Sequence, residues 1–227
     1  MNLCTITLAM LATTTALTNA GGLSIYDNRA DFNINTGPQT IEDFEAEQLA
    51  QIAMPSVFSS GLGANLFNGS VTSYIEAGDP DGYGFQNTTA GGRKYLRFGH
   101  NIPGAAGETG SYSVDFTFGG GVQAFGFDIS GFQPQDGADG FNLTLFSNGQ
   151  IVEDLFVPAT QNGFDVEFFG FVADASFDTA RVNIPVLNTN STADYVAFDE
   201  VTWSTVPTPA SASLLALGGL IATRRKR

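Results

Sequence analysis

The chain has 227 residues, of which 9 are basic and 23 acidic, and its formal net charge is −14 at pH 7. A body this acidic repels phosphate backbones and offers no basic stripe, which rules against nucleic-acid binding. Apolar residues make up 43% of the chain and include 20 Phe, enough for a packed core and too many for a globally disordered chain.

The N-terminal run MNLCTITLAMLATTTALTNAGG is apolar and ends in small residues. It reads as a signal peptide over residues 1–20, cleaved after Ala20, with Thr18 and Ala20 at the inspected positions. Residues 2–10 hold no Lys or Arg, so the terminal amine alone supplies its positive end. Cys4 is the only cysteine and lies inside this segment, which leaves a mature chain without thiol, disulfide or thiolate metal site.

Residues 21–204 lack a sustained 3.6-residue apolar period and show short alternating runs punctuated by Gly, Asn, Asp and Pro. EDFEAEQLAQIA at 42–53 is the one stretch with a helix-like pattern, and it is ambiguous. Strands are expected at 71–76 and 94–98. In SYSVDFTF at 111–118, Tyr112, Val114, Phe116 and Phe118 share one face while Ser111, Ser113, Asp115 and Thr117 share the other. After Gly119–Gly121, the residues Phe125, Phe127 and Ile129 alternate with Ala124, Gly126 and Asp128. FNLTLFSNGQIVEDLFV at 141–157 places Asn148-Gly149 between two apolar runs, a pair that accepts the positive φ values of a type I′ hairpin turn. Further strands are expected at 165–172, 180–187 and 195–203. Many short antiparallel strands with Gly-rich connections predict an all-β, jelly-roll-like antiparallel sandwich in one domain.

The residues 205–209 form a Pro-containing spacer, and 210–223 is a short apolar stretch ahead of Arg224, Arg225, Lys226 and Arg227. As a helix the stretch spans about 21 Å at 1.5 Å per residue, short of the roughly 30 Å hydrocarbon core. The four cations belong on the cytoplasmic side, with the acidic body outside. A Pro-x-Pro-Ala-Ser start, a Leu/Ala/Gly helix and an Arg-rich end, read over Val206, Pro207, Thr208, Pro209, Ala210 and on to Arg227, closely resemble the PEP-CTERM sorting signal of bacterial envelope proteins. Thr208 stands where the family carries Glu. The resemblance implies transient inner-membrane insertion through 210–223 and processing by an exosortase-like membrane transpeptidase. The mature protein is then released or attached to the cell surface or the exopolysaccharide matrix. FFGFVADASFDTARVNIPV at 168–186 and DYVAFDEVTW at 194–203 are likewise similar to the closing strands of sandwich domains that accompany this signal. In a bacterium, the N-x-S/T triplets at Asn68, Asn87, Asn142 and Asn190 are incidental.

Catalytic signatures are sparse. His100 is the only histidine, and its setting, RFGHNIPG, suits a surface or capping role better than that of a base. No nucleophile elbow, zinc-helix motif or phosphate loop occurs. Glycoside hydrolysis needs only two carboxylates, so it stays open as a third reading, but the sole Trp203 abuts the spacer and the Phe residues read as core. Metal binding has a specific motif. Glu45 and Glu47 lie early and Asp199 lies in the last predicted strand, and the first and last strands of a sandwich are often neighbours. Hard oxygen ligands there suit Ca²⁺, in a placement that resembles the structural calcium site of jelly-roll carbohydrate-binding modules. The acidic loops GDPDGYG at 78–84 and QDGADG at 135–140 read as turns. The expectation is therefore a non-enzymatic envelope or matrix protein with a structural or adhesive role. The alternative is a calcium-dependent carbohydrate-binding module, marked by exposed Tyr side chains such as Tyr74, Tyr83 or Tyr95.

Overall fold

The computed structural model describes residues 17–18, 22–67, 71–77, 88–101, 110–131, 140–158, 166–186 and 193–205. Most of the signal peptide, the spacer from 206 onward, the C-terminal helix and basic end, the acidic loops and Tyr83 lie outside these residues. Within the predicted signal segment, β1 (Leu17–Thr18) is extended and pairs with β2 (Leu23–Tyr26). Among the described residues no helix is long and apolar enough to cross a membrane.

Two long strands organise the molecule. β9 (Gly110–Ser130) joins the predicted strands at 111–118 and 125–129, and β12 (Glu167–Val186) joins those at 165–172 and 180–187. In β9 the core-facing residues change from even to odd numbers between Phe118 and Phe125. The β9–β12 ladder shifts register in the same region, between Val172 and Thr179. A slip of one residue turns the strand's faces over and bends it, so each strand serves one layer with its first half and the other layer with its second.

The first layer runs β2, the N-terminal half of β12, the C-terminal half of β9, β13 (Ala193–Ser204), β8 (Lys94–Asn101), β7 (Val71–Ala77) and β4 (Ala50–Ile52). β3 (Thr40–Glu42) pairs with the end of β13. The second layer runs β11 (Gln150–Pro158), β10 (Gly140–Ser147), the C-terminal half of β12, the N-terminal half of β9, β6 (Gly63–Phe67) and β5 (Ser56–Val57). Every pairing is antiparallel. The result is the all-β antiparallel sandwich expected from the sequence. The predicted hairpin is present too, with Asn148 at φ 51° and Gly149 at φ 75° between β10 and β11.

Phenylalanine fills the space between the layers. Phe127 lies 5.1 Å from Phe198 and 5.9 Å from Phe141 by ring centroids, and Phe116 lies 5.4 Å from Phe198. All four are fully buried. Burying a side chain of this size stabilises by about 1.5–3 kcal/mol, and tilted ring pairs add about 0.5–1.5 kcal/mol.

Two local expectations are corrected. The ambiguous stretch 42–53 is a strand, a turn and a strand. Phe44 takes a positive φ of 57° and is fully buried, and Glu47 N donates to Phe44 O. That conformation breaks a helix, and the buried aromatic holds it in place. The real helix is α1 (Arg29–Asn35), capped by Asn28, whose side chain accepts from the N–H groups of Ala30 and Asp31. Seven residues are too few to write a helical period into the sequence.

Candidate functional site

The two outward faces of the sandwich differ. On the first layer α1 lies over Phe168, Ala124 and Gly170. Phe32 is fully buried there, 5.5 Å from the Phe168 ring and 6.0 Å from Tyr26. A Cβ on Gly170 would stand 2.6 Å from a Phe32 ring carbon, so glycine is what lets the helix come this close. Arg29 ties the helix down. Its guanidinium meets Asp128 at 2.8 Å and Glu200 at 3.3 Å, donates to the Thr202 hydroxyl at 3.2 Å, and lies 4.6 Å over the Phe168 ring. Glu200 sits at φ 43° where the β13–β9 ladder shifts register, which turns its side chain toward Arg29. Burial pushes the Glu200 carboxyl up; Arg29 pulls it down, while Asp128 and Asp43 push it up further.

The acids singled out from the sequence lie beside this face, with β3 pairing on β13. They serve the backbone. Asp199 is buried, with one carboxylate oxygen accepting from Thr88 N at 2.6 Å and Thr89 N at 3.1 Å, and the other from Glu200 N at 2.7 Å. Burial pushes its carboxyl up to about 6, against the downward pull of those N–H donors. Glu45 accepts from the N–H groups of Arg93 and Lys94, and Glu47 from Ser59 N at 2.8 Å. The Lys94 ammonium donates to the carbonyls of Glu45 and Glu47 at 2.7 and 2.6 Å. The positive charge at this turn is thus supplied by the chain's own lysine. Among the described residues no three His, Cys, Asp or Glu side chains converge in a way that could hold a metal ion. Glu45 and Asp199 grip the two ends of the segment 88–94 instead.

Of the tyrosines whose exposure would mark a sugar platform, Tyr74 and Tyr95 are not presented that way. Tyr95 is 2% exposed and packs with Ala197. Tyr74 is half-buried under the Arg97 guanidinium at 5.2 Å, and Arg97 also meets Glu76 at 3.0 Å. His100 contributes backbone to β8, and its side chain is not among those described.

The outer face of the second layer stays open. Antiparallel register aligns its side chains in rows across the strands. The central row runs Asn65, Asp115, Arg181, Thr144 and Asp154, over β6, β9, β12, β10 and β11. A second row carries Ser113, Asn183, Asn142 and Phe156, and a third Thr117, Thr179 and Phe146. Arg181 donates to both oxygens of Asp115, Nε at 2.6 Å and Nη2 at 2.8 Å, and lies 5.1 Å over Phe146. That hydrogen bond to Asp115 raises the pKa of an arginine that is in any case always charged. The bidentate pair fixes the guanidinium plane.

Around that fixed pair stand amides with spare capacity. Ser113 donates to the Asn183 carbonyl oxygen at 2.7 Å, which fixes the amide orientation. Among the described residues the side-chain amides of Asn65 and Asn142 make no hydrogen bond to protein, although both are half-buried. An amide offers two donors and an acceptor. The face therefore combines fixed charge, oriented donors and acceptors, and aromatic side chains, with Phe156 half exposed at its margin. None of these residues was singled out from the sequence as a binding residue. The alternation of Ser113, Asp115 and Thr117 was legible, but which strands would stand beside theirs was not.

No protein-family model matches the chain, and no curated protein matches it. Among solved structures it is similar to the family 11 carbohydrate-binding module of a Clostridium thermocellum cellulosomal cellulase, at 10% identity and a TM-score of 0.39, over 75% of this chain and 96% of that one. It is similar also to a cleaved adhesin domain of Lys-gingipain from Porphyromonas gingivalis, at 10% identity and a TM-score of 0.42, over 75% and 99%. A third similarity, to the enzymatically active domain of a bacteriophage CBA120 tailspike protein, has 12% identity and a TM-score of 0.38, over 64% of this chain and 19% of that one. At these values the likeness bears on neither ligand nor chemistry.

Proposed function

We propose that the domain is a polysaccharide-binding module, not an enzyme, and that the outer face of the second layer is its binding surface. The observation that carries this reading is a pair of amides, Asn65 and Asn142, that make no hydrogen bond to protein among the described residues and stand beside the fixed Arg181–Asp115 pair on one sheet face. Sugars present hydroxyls that both donate and accept, and C–H faces that pack on flat apolar groups. Amides and carboxylates answer the first, and Phe146 and Phe156 the second. On the first layer α1 covers Ala124, Phe168 and Gly170, and the residues Thr88 and Thr89 close over Asp199.

The proposal of delivery rests on Val206–Arg227: export, a transient membrane hold and removal of the tail by an exosortase-like peptidase would leave this module in the envelope or exopolysaccharide matrix. Affinity gels cast with a panel of polysaccharides test the binding. The chain is expected to be retained by at least one, with Arg181→Ala and Asn142→Ala each weakening retention about tenfold, or about 1.4 kcal/mol. Unchanged retention in both variants would place any binding elsewhere.

A further inference from the structure

The charge and the row geometry of the second layer's outer face select among sugars. We infer that its ligand is an uncharged polysaccharide whose chain lies across the strands, along the line Asn65–Asp115–Arg181–Thr144–Asp154. The inference rests on the sugar-binding reading above and narrows it.

Charge comes first. Before the basic tail the chain has five cations: Arg29, Arg93, Lys94, Arg97 and Arg181. The first four belong to α1, to β8 or to the residue just before β8, so Arg181 is the one cation of the second layer's described face. Its guanidinium is committed to both oxygens of Asp115, which makes the pair neutral as a unit. Asp154 closes the row and accepts from the Thr144 hydroxyl at 2.9 Å. Asp178 stands by the hairpin turn and accepts from Asn148 N at 2.6 Å. A uronate, sulfate or phosphate polymer would meet a face of net negative charge. An amine-bearing polymer would meet the neutral Arg181–Asp115 pair at the centre and gain only from acids at the margin, which are weak partners in water. An uncharged chain carries neither penalty.

Direction follows from spacing. Neighbouring strands stand about 4.8 Å apart, so the five side chains of the central row extend over about 19 Å. The flanking rows carry Phe156 on one side and Phe146 on the other. A polar line bordered by aromatic groups suits a chain whose hydroxyl edges follow the line while its C–H faces meet the rings. Along any single strand, outward residues come only every second position, and the longest polar series, Ser111, Ser113, Asp115 and Thr117 of β9, has four members to the central row's five and includes neither Asn65 nor Arg181.

The test uses affinity gels of neutral glucan, mannan and galactan, of alginate as the uronate polymer and of chitosan as the amine polymer, at low and high salt. Titration with neutral oligosaccharides of increasing length follows. Retention is expected on a neutral matrix alone, with no change on adding salt. Asn65→Ala and Asp154→Ala, at the two ends of the row, are expected each to weaken binding of long oligosaccharides about fivefold and of a disaccharide less than twofold, with unchanged melting temperatures. Retention on alginate, or salt-sensitive retention on chitosan, would overturn the inference and leave sugar binding intact. Equal affinity of both end variants and the parent for long oligosaccharides would overturn the across-strand placement. Retention on no matrix would sink the sugar-binding reading itself.

Discussion

The same two strands, β9 and β12, build both outer faces of the sandwich, yet one face is sealed and the other left open. On the first layer the outward residues Ala124, Asp128, Phe168, Ala197 and Asp199 are all buried. On the second layer Ser113 and Asp115 are buried, but Asn65, Asn142, Thr144, Arg181 and Asn183 keep contact with solvent. The polar groups differ in part. Arg29, Asp128 and Glu200 are spent on holding a helix, and Asp199 on holding a turn; on the second layer Arg181 pairs with Asp115 and Ser113 with Asn183, whereas among the described residues Asn65 and Asn142 make no hydrogen bond to protein. Polar groups that stabilise the fold are saturated by protein, so spare hydrogen-bonding capacity gathered on one face points to a ligand.

The contrast can be broken most forcefully from the sealed side. Phe32→Ala removes the side chain that fills the space between α1, Phe168 and Gly170. A loss of about 3–5 kcal/mol of stability is expected, read as a lower urea midpoint with an unchanged slope. A loss below about 1 kcal/mol would mean that α1 is an ornament on the face and not its seal.

A smaller effect tests how the sealed face holds its acid. The Asp199 carboxyl is raised by burial from 3.8 to about 6. The folded state therefore binds more protons than the unfolded one between those values, and stability falls as pH rises through that window. A shift of this size corresponds to about 3 kcal/mol between the two limits. Stability measured from about pH 3.5 to 6.5 is expected to decline with pH in the parent chain relative to Asp199→Asn. Parallel pH profiles would show that the N–H donors of Thr88, Thr89 and Glu200 fully offset the burial.

What the sequence disclosed follows the same division. Local patterns were legible: the alternation in β9, the Asn148-Gly149 turn and the polar series Ser113, Asp115, Thr117 all depend on residues close in the chain. An early strand does stand beside the last one, with β3 pairing on β13. The sequence does not reveal that Lys94 reaches the carbonyls of Glu45 and Glu47 or that backbone N–H groups of 88–94 bond to the carboxylates of Glu45 and Asp199. The open face was hidden for a related reason. Its central row draws on residues 65, 115, 181, 144 and 154, and only the register of four separate ladders brings them into line.

The smallest expected effect is the sharpest on function. Asn142 is half-buried, its amide has no protein partner among the described residues, and its neighbours Asn183 and Phe156 are themselves held by other contacts or by the sheet. Removing such an amide forfeits no intramolecular hydrogen bond and opens no core cavity. Asn142→Ala is thus expected to change stability by less than about 0.5 kcal/mol, while Thr202→Val, on the sealed face, costs about 1–3 kcal/mol by leaving the Arg29 and Glu200 groups it bridges without that hydroxyl. Paired urea titrations of the two variants decide the matter. A loss at Asn142 as large as that at Thr202 would mean that both faces are structural, and the case for a ligand on the second layer would fall with it.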